Sequence, residues 1–174
     1  GLAPNALGVK LHESLLKEQE TLDSENASRL RVHQQNRYAL HRVLARLTDY
    51  VETQSGQPSR YAELVAEGPN RYEVEHIWAD HPERHVDEFS HSVDVAEYRN
   101  RIGALLLLPK KFNASYGDLT YEEKVAHYLT QNLLARSLHP QCYQHNPGFA
   151  QFLSRSGLPF KPFAEFKKAH IEER

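Results

Sequence analysis

Near the middle of the chain a glutamate stands directly before a histidine, Glu75-His76, within the alternating segment Tyr72-Glu-Val-Glu-His-Ile77. Period-two alternation suits a short strand, and successive strand side chains point to opposite faces. A carboxylate and an imidazole at adjacent positions can therefore place a metal ion and a general base on either side of one phosphate. Thirty-seven residues after His76 comes Asn113, at the predicted start of a helix. Its amide oxygen is a neutral hard donor of the kind Mg²⁺ or Mn²⁺ accepts, and asparagine is equally a favoured helix N-cap. Between these positions Arg99-Asn100-Arg101 and Lys110-Lys111 bracket an apolar segment with four positive charges and no acid. Phosphodiester hydrolysis requires such a set: a base for water, a metal on the leaving oxygen, and cations on the phosphate.

The flanking sequence predicts the elements that hold these residues. Leu40, Val43, Leu44, Leu47, Tyr50 and Val51 recur at three- and four-residue steps, the signature of an amphipathic helix. Arg31, Arg42 and Arg46 fall on its other side, with Arg29 and Arg37 nearby. Upstream, Leu11, Leu15, Leu16 and Leu22 form a looser apolar face. Gly56 and Pro58 break the pattern, and a short helix is expected over residues 59–67, ended by Gly68-Pro69-Asn70. After the strand at Tyr72–Ile77, residues 79–97 read as a long polar loop with one turn of helix. Residues 103–108 read as a second, more buried strand stopped by Pro109, and helix resumes from Lys110. A continuous helix is expected over residues 121–138, then an irregular aromatic tail with a short final helix. The fold class is α+β, mostly α-helical, with one strand–loop–strand–helix unit embedded among helices. The reading is one domain over 1–174: a helical part at 8–68, a strand–helix core at about 71–128, and a helical or irregular tail at 129–174.

Composition bounds what this unit can belong to. The chain has 174 residues, 40% hydrophobic, enough for one core. With 21 basic and 23 acidic residues the formal net charge is -2, so any attraction to nucleic acid must come from local clusters. The apolar run at residues 102–109 is far too short to span a membrane. A single cysteine, Cys142, excludes an internal disulfide and a multi-cysteine zinc knuckle. There is no methionine, not even at position 1, so a fragment of a longer cytoplasmic protein is expected. His76, His81, His85 and His91 lie within sixteen residues, and residues 73–97 carry eight acids against one arginine. Three readings of that loop stand: a solvated surface, a Zn²⁺ site on its histidines, or a patch that docks against another domain.

Glu75-His76-Ile77, Asn100-Arg-Ile-Gly-Ala-Leu-Leu-Leu-Leu-Pro-Lys-Lys-Phe-Asn113 and Tyr121-Glu-Glu-Lys124 together resemble the HNH (ββα-metal, His-Me finger) nuclease domain. The branch they are similar to is the GmrSD-type C-terminal domain of bacterial anti-phage restriction proteins, including those dependent on DNA phosphorothioation. The resemblance implies a ββα-metal unit and a metal-dependent DNA endonuclease. By match of position, His76 would activate water, Glu75 would bind a single Mg²⁺ or Mn²⁺, and Asn113 would be a second ligand. Arg99, Arg101, Lys110, Lys111 and Lys124 would contact double-stranded DNA. The family's middle asparagine, which follows the glycine, is replaced by Ala104, and Asn100 is the nearest substitute as a catalytic residue. One such site would nick one strand and leave 5′-phosphate and 3′-hydroxyl ends. The resemblance also implies an N-terminal nucleotide-hydrolysing or sensor domain in the same protein, and targets such as phosphorothioated or glucosylated phage DNA. The alternative that Ala104 favours is a catalytically weakened DNA-binding or regulatory module.

Overall fold

The computed structural model describes residues 30–174, and before them residues 6, 8–10 and 13. The expected faces at Leu11, Leu15, Leu16 and Leu22, and Arg29, lie outside the described residues. The centre of the fold is an antiparallel hairpin of β1 (Tyr72–His76) and β2 (Leu105–Pro109). Its five rungs run from Tyr72 opposite Pro109 to His76 opposite Leu105. Both faces are covered. Val74, Leu105 and Leu107 pack with Leu40, Leu44 and Leu64, from α1 (Arg37–Gln54) and α2 (Tyr61–Leu64). Leu106 and Leu108 face the larger core, with Phe112 of α4 (Lys110–Tyr116), Tyr121 and Tyr128 of α5 (Tyr121–Tyr128) and Leu133 and Leu134 of α6 (Leu133–Arg136). A strand covered on both faces reads as an unbroken apolar run, and Leu105 to Leu108 is one. No helix among the described residues is long and apolar enough to cross a membrane.

The β1–β2 connection holds more helix than its polar sequence suggests. It contains a 3-10 turn at Pro82–His85 and an eight-residue helix, α3 (Ser92–Arg99), where a loop with one turn was expected. Only Val95 of α3 is buried, so the segment carries almost no apolar periodicity to read. Two acidic residues of this connection are tied to the chain's own tail: Asp87 pairs with Lys167, and the Glu88 carboxylate accepts from the Lys168 backbone N–H. Gly103 opens no strand. Residues Ile102–Ala104 form a 3-10 turn, and pairing begins at Leu105.

The expected helix at 121–138 is two helices. Asn132 divides them: its side-chain oxygen caps Ala135 N–H, while its amide donates to Leu107 O at 2.7 Å. The cap and the tie to β2 together outweigh helical continuation. The aromatic tail contains α7 (Pro147–Ser156), closed by Gly157 at a left-handed φ of 65°, and α8 (Lys168–Glu173). On α1, Leu40, Leu44 and Val51 are buried as expected, whereas Leu47 and Tyr50 remain 42% and 50% exposed. The expected helix at 59–67 is shorter, covering only Tyr61–Leu64.

Gly103 lies where α8 crosses the turn before β2, and a Cβ there would sit 2.1 Å from the Ile171 carbonyl oxygen. The obstacle is backbone and cannot rotate away. Gly103→Ala should therefore destabilise the protein by roughly 1–3 kcal/mol, the usual range for overpacking. Urea denaturation would check this, and an unchanged midpoint would contradict the packing.

Candidate active site

Alternation along β1 turns His76 and Glu75 to opposite faces of the hairpin, and each meets a different partner. The His76 ring Nε2 lies 3.0 Å from Asn100 Oδ1. Asn100 is the C-cap of α3, and its amide nitrogen donates to Ala96 O at 2.8 Å. That second bond fixes which end of the amide faces the imidazole. The oxygen must accept, so Nε2 carries the proton and Nδ1 keeps its lone pair. Burial first, and the Arg99 guanidinium second, push the imidazole down to about 4; the Asn100 bond and Asp80 act in the opposite direction. At neutral pH His76 is a neutral imidazole with a defined tautomer, the state a general base requires.

On the other face Glu75 is buried against Lys124 of α5. Lys124 Nζ donates to Glu75 Oε1 at 2.8 Å and to the His76 carbonyl at 2.9 Å. Only 4% of the carboxylate side chain and 1% of the lysine side chain are exposed. Burial pushes the Glu75 carboxyl up and the Lys124 ammonium down, and each charge is the other's main compensation. Removing one member of such a pair strands the other charge, at a cost of roughly 3–5 kcal/mol. The placement corrects the reading of Lys124 as a DNA contact. It is fully buried and faces the interior, where it cannot meet a phosphate backbone. An isolated cation in a polar stretch gives no sign of this, because its partner lies 49 residues away.

Asn113 sits inside α4 and not at its N-cap, which is Pro109. Its amide nitrogen donates to Val74 O at 3.3 Å, next to Glu75, while its Oδ1 is buried with no hydrogen-bond partner. An orphaned buried acceptor is costly unless something binds it. Amide and carboxylate oxygens are both donors that a hard ion accepts, but the Glu75 carboxylate is already paired with Lys124. Among the described residues no three or more His, Cys, Asp or Glu side chains cluster as a metal set. The loop histidines are placed otherwise: His81 meets Glu83 at 2.7 Å, and His85 stacks on Trp78 with ring centroids 4.0 Å apart.

The other expected cations separate into two groups. Arg99 lies at the His76 end, its Nε donating to Trp78 O at 3.1 Å, close enough to Glu75 and Asp80 for each to act on its charge. Arg101 is beside it, stacked 3.7 Å over the Tyr98 ring and paired with Glu97 at 3.1 Å. Lys110 and Lys111 are exposed at the far end of the hairpin, where Lys110 N–H donates to Arg71 O. Four rungs of strand separate the groups by about 14 Å. Two contributors have no mark in the sequence. Asp80 lies near His76 and Arg99, and Arg174 donates to Gly103 O and to Leu105 O at 2.7 and 3.2 Å, bracing the residue opposite His76.

Residues 17–156 match the family described as GmrSD restriction endonucleases, C-terminal domain. The chain belongs to this family. No curated protein and no solved structure matches it. As a GmrSD C-terminal domain it is of restriction-endonuclease type, with DNA as the class of substrate.

The His76 environment has a measurable consequence. Its folded value, about 4, lies below the ordinary 6.5 of a free imidazole, so the unfolded chain takes the proton first. The contribution to stability is complete above pH 6.5 and is lost as pH falls toward about 4. An NMR titration should show His76 titrating near 4 as the Nε2–H tautomer, and a midpoint near 6.5 would refute the burial argument.

Proposed function

We propose that this domain is an HNH-type, metal-dependent DNA endonuclease in which His76 is the general base. The observation that carries the reading is the Asn100 bond to His76 Nε2, which leaves Nδ1 unprotonated on a half-buried, neutral ring. His76 Nδ1 takes a proton from water as the water oxygen attacks phosphorus. The P–O3′ bond breaks, and the leaving 3′-oxygen takes a proton from solvent, giving 5′-phosphate and 3′-hydroxyl ends. Arg99, anchored through its Nε, keeps its terminal nitrogens for the phosphate oxygens, where charge-assisted hydrogen bonds favour the transition state. Glu75 and Asn113 would hold a Mg²⁺ or Mn²⁺ ion, which when bound supplies Lewis-acid stabilisation of the leaving oxygen. Lys110 and Lys111, exposed at the far end of the hairpin, suit backbone contacts remote from the cut.

The alanine at position 104 is compatible with activity on this reading. Ala104 is buried in the core, and its carbonyl accepts from Ile77 N–H. The orienting amide comes from Asn100, four residues earlier. With a single His76, a monomer cuts one strand and nicks. The biological setting that fits is cytoplasmic restriction of phage or modified DNA, gated by an N-terminal nucleotide-hydrolysing or sensor domain.

Supercoiled plasmid incubated with Mg²⁺ or Mn²⁺ should convert to open circle, and EDTA or His76→Ala should abolish the conversion. Removing a general base costs roughly 10²–10⁴-fold. Asn100→Ala should lower the rate by about tenfold with little effect on DNA affinity, since it removes one hydrogen bond to the base. Salt-sensitive DNA binding without cleavage in any metal would instead support a regulatory module on a nuclease fold.

A further inference from the structure

A cleft of about 440 Å³ lies between the start of α1 and the start of β1. Arg37 and Arg42 line it from α1, and Arg71, Tyr72 and Val74 line it from the strand side. His41 Nε2 donates to the Tyr72 carbonyl at 3.0 Å and ties the two walls together. Arg37 and Arg42 are both exposed. The Arg42 guanidinium is held by Tyr38, whose hydroxyl accepts from Nη2 and whose ring centroid lies 4.6 Å away. Arg71 pairs with Glu73 at 2.7 Å, and Glu67 is the other acid on the cleft wall. Lys110 and Lys111 continue the surface, since Lys110 N–H donates to Arg71 O. Five cations thus meet two acids here, on a chain whose formal net charge is -2.

The cleft begins beside His76. Tyr72, Val74 and His76 hold alternate positions of β1 and so share one face of the strand. Val74 is about 7 Å along the strand from His76, and Tyr72 about 13 Å. One strand of B-DNA rises about 3.4 Å per nucleotide, so these distances span about two and four nucleotides. Guanidinium groups meet phosphate oxygens in a planar fork, which suits a polyanionic backbone. We infer, resting on the nuclease reading, that this cleft holds the phosphate backbone of the DNA strand running away from the scissile bond. Arg37 and Arg42 bind its phosphates, and Tyr38 keeps the Arg42 guanidinium in place. Lys110 and Lys111 extend the same track. Contacts of this kind fix register on the duplex without reading its sequence.

The test is the salt dependence of duplex DNA binding, read by fluorescence anisotropy in a His76→Ala background where DNA stays intact. Each phosphate contact removed lowers the slope of log K against log salt by about 0.9 in magnitude. Arg37→Gln with Arg42→Gln should therefore lower it by about 1.8, and Arg37→Lys with Arg42→Lys should keep it. Arg155→Gln with Lys161→Gln removes the same charge from the exposed tail and should leave the slope unchanged. A second readout leaves the cleft unaltered. Phenylglyoxal should modify Arg37, Arg42 and Arg155 in the free protein, and duplex DNA should protect only the first two. An equal fall in slope for both Gln pairs, or no protection of Arg37 and Arg42, overturns the inference. Its failure is separable from that of the nuclease reading: plasmid nicking by the unaltered protein tests the latter, whereas slope and protection in the His76→Ala background need no cleavage.

Discussion

Everything around the site hangs on a hairpin of five rungs that has no exposed face. With one set of helices on each side, alternation along β1 leaves no freedom over where its polar residues go. Val74 fills the α1 side, so Glu75 must enter the larger core, and His76 must turn back toward the end of α3. A buried carboxylate requires a counter-charge, and Lys124 supplies it from α5. The same ammonium binds the His76 backbone, so the charge that makes Glu75 tolerable also fixes the neighbouring imidazole's main chain. Core packing and the geometry around His76 are one problem here.

The environments of the two adjacent residues then diverge. His76 keeps one side chain as partner and loses its proton affinity through burial and Arg99. Glu75 sits deeper, matched by a cation from a different helix. Asn113 approaches the same strand from α4 and leaves an acceptor without a donor. A buried acceptor without a donor costs stability wherever it occurs.

The braces of the His76 end come from distant parts of the chain. Asn100 is placed by α3 and by its carbonyl, which accepts from Val32 N–H. The turn from Asn100 to Leu105 is closed from the other side by α8, through Ile171 against Gly103, Glu172 accepting from Tyr98, and Arg174 on Leu105. Residues 157–174 lie beyond the stretch that matches the family, yet they support the rung at which His76 sits.

The strand at Tyr72–His76, the apolar run of β2, the helix through Leu40, Leu44 and Val51, and the Glu-His and asparagine positions were all legible in the chain, because period and residue type are local properties. Helix α3 was not, since a segment held by one buried valine has no periodicity to show. The division of residues 121–138 was not either, because Asn132 reads as helix-compatible until Leu107 is beside it. The same limit applied to charge. Nothing local distinguishes Lys124 from Lys110, yet one is fully buried on a carboxylate and the other is in solvent. Sequence determined which chemical groups this protein has and which strand carries them. Tertiary structure alone decided their partners, and hence their protonation and accessibility, because burial and ion pairing depend on residues brought together from 24 and 49 positions apart.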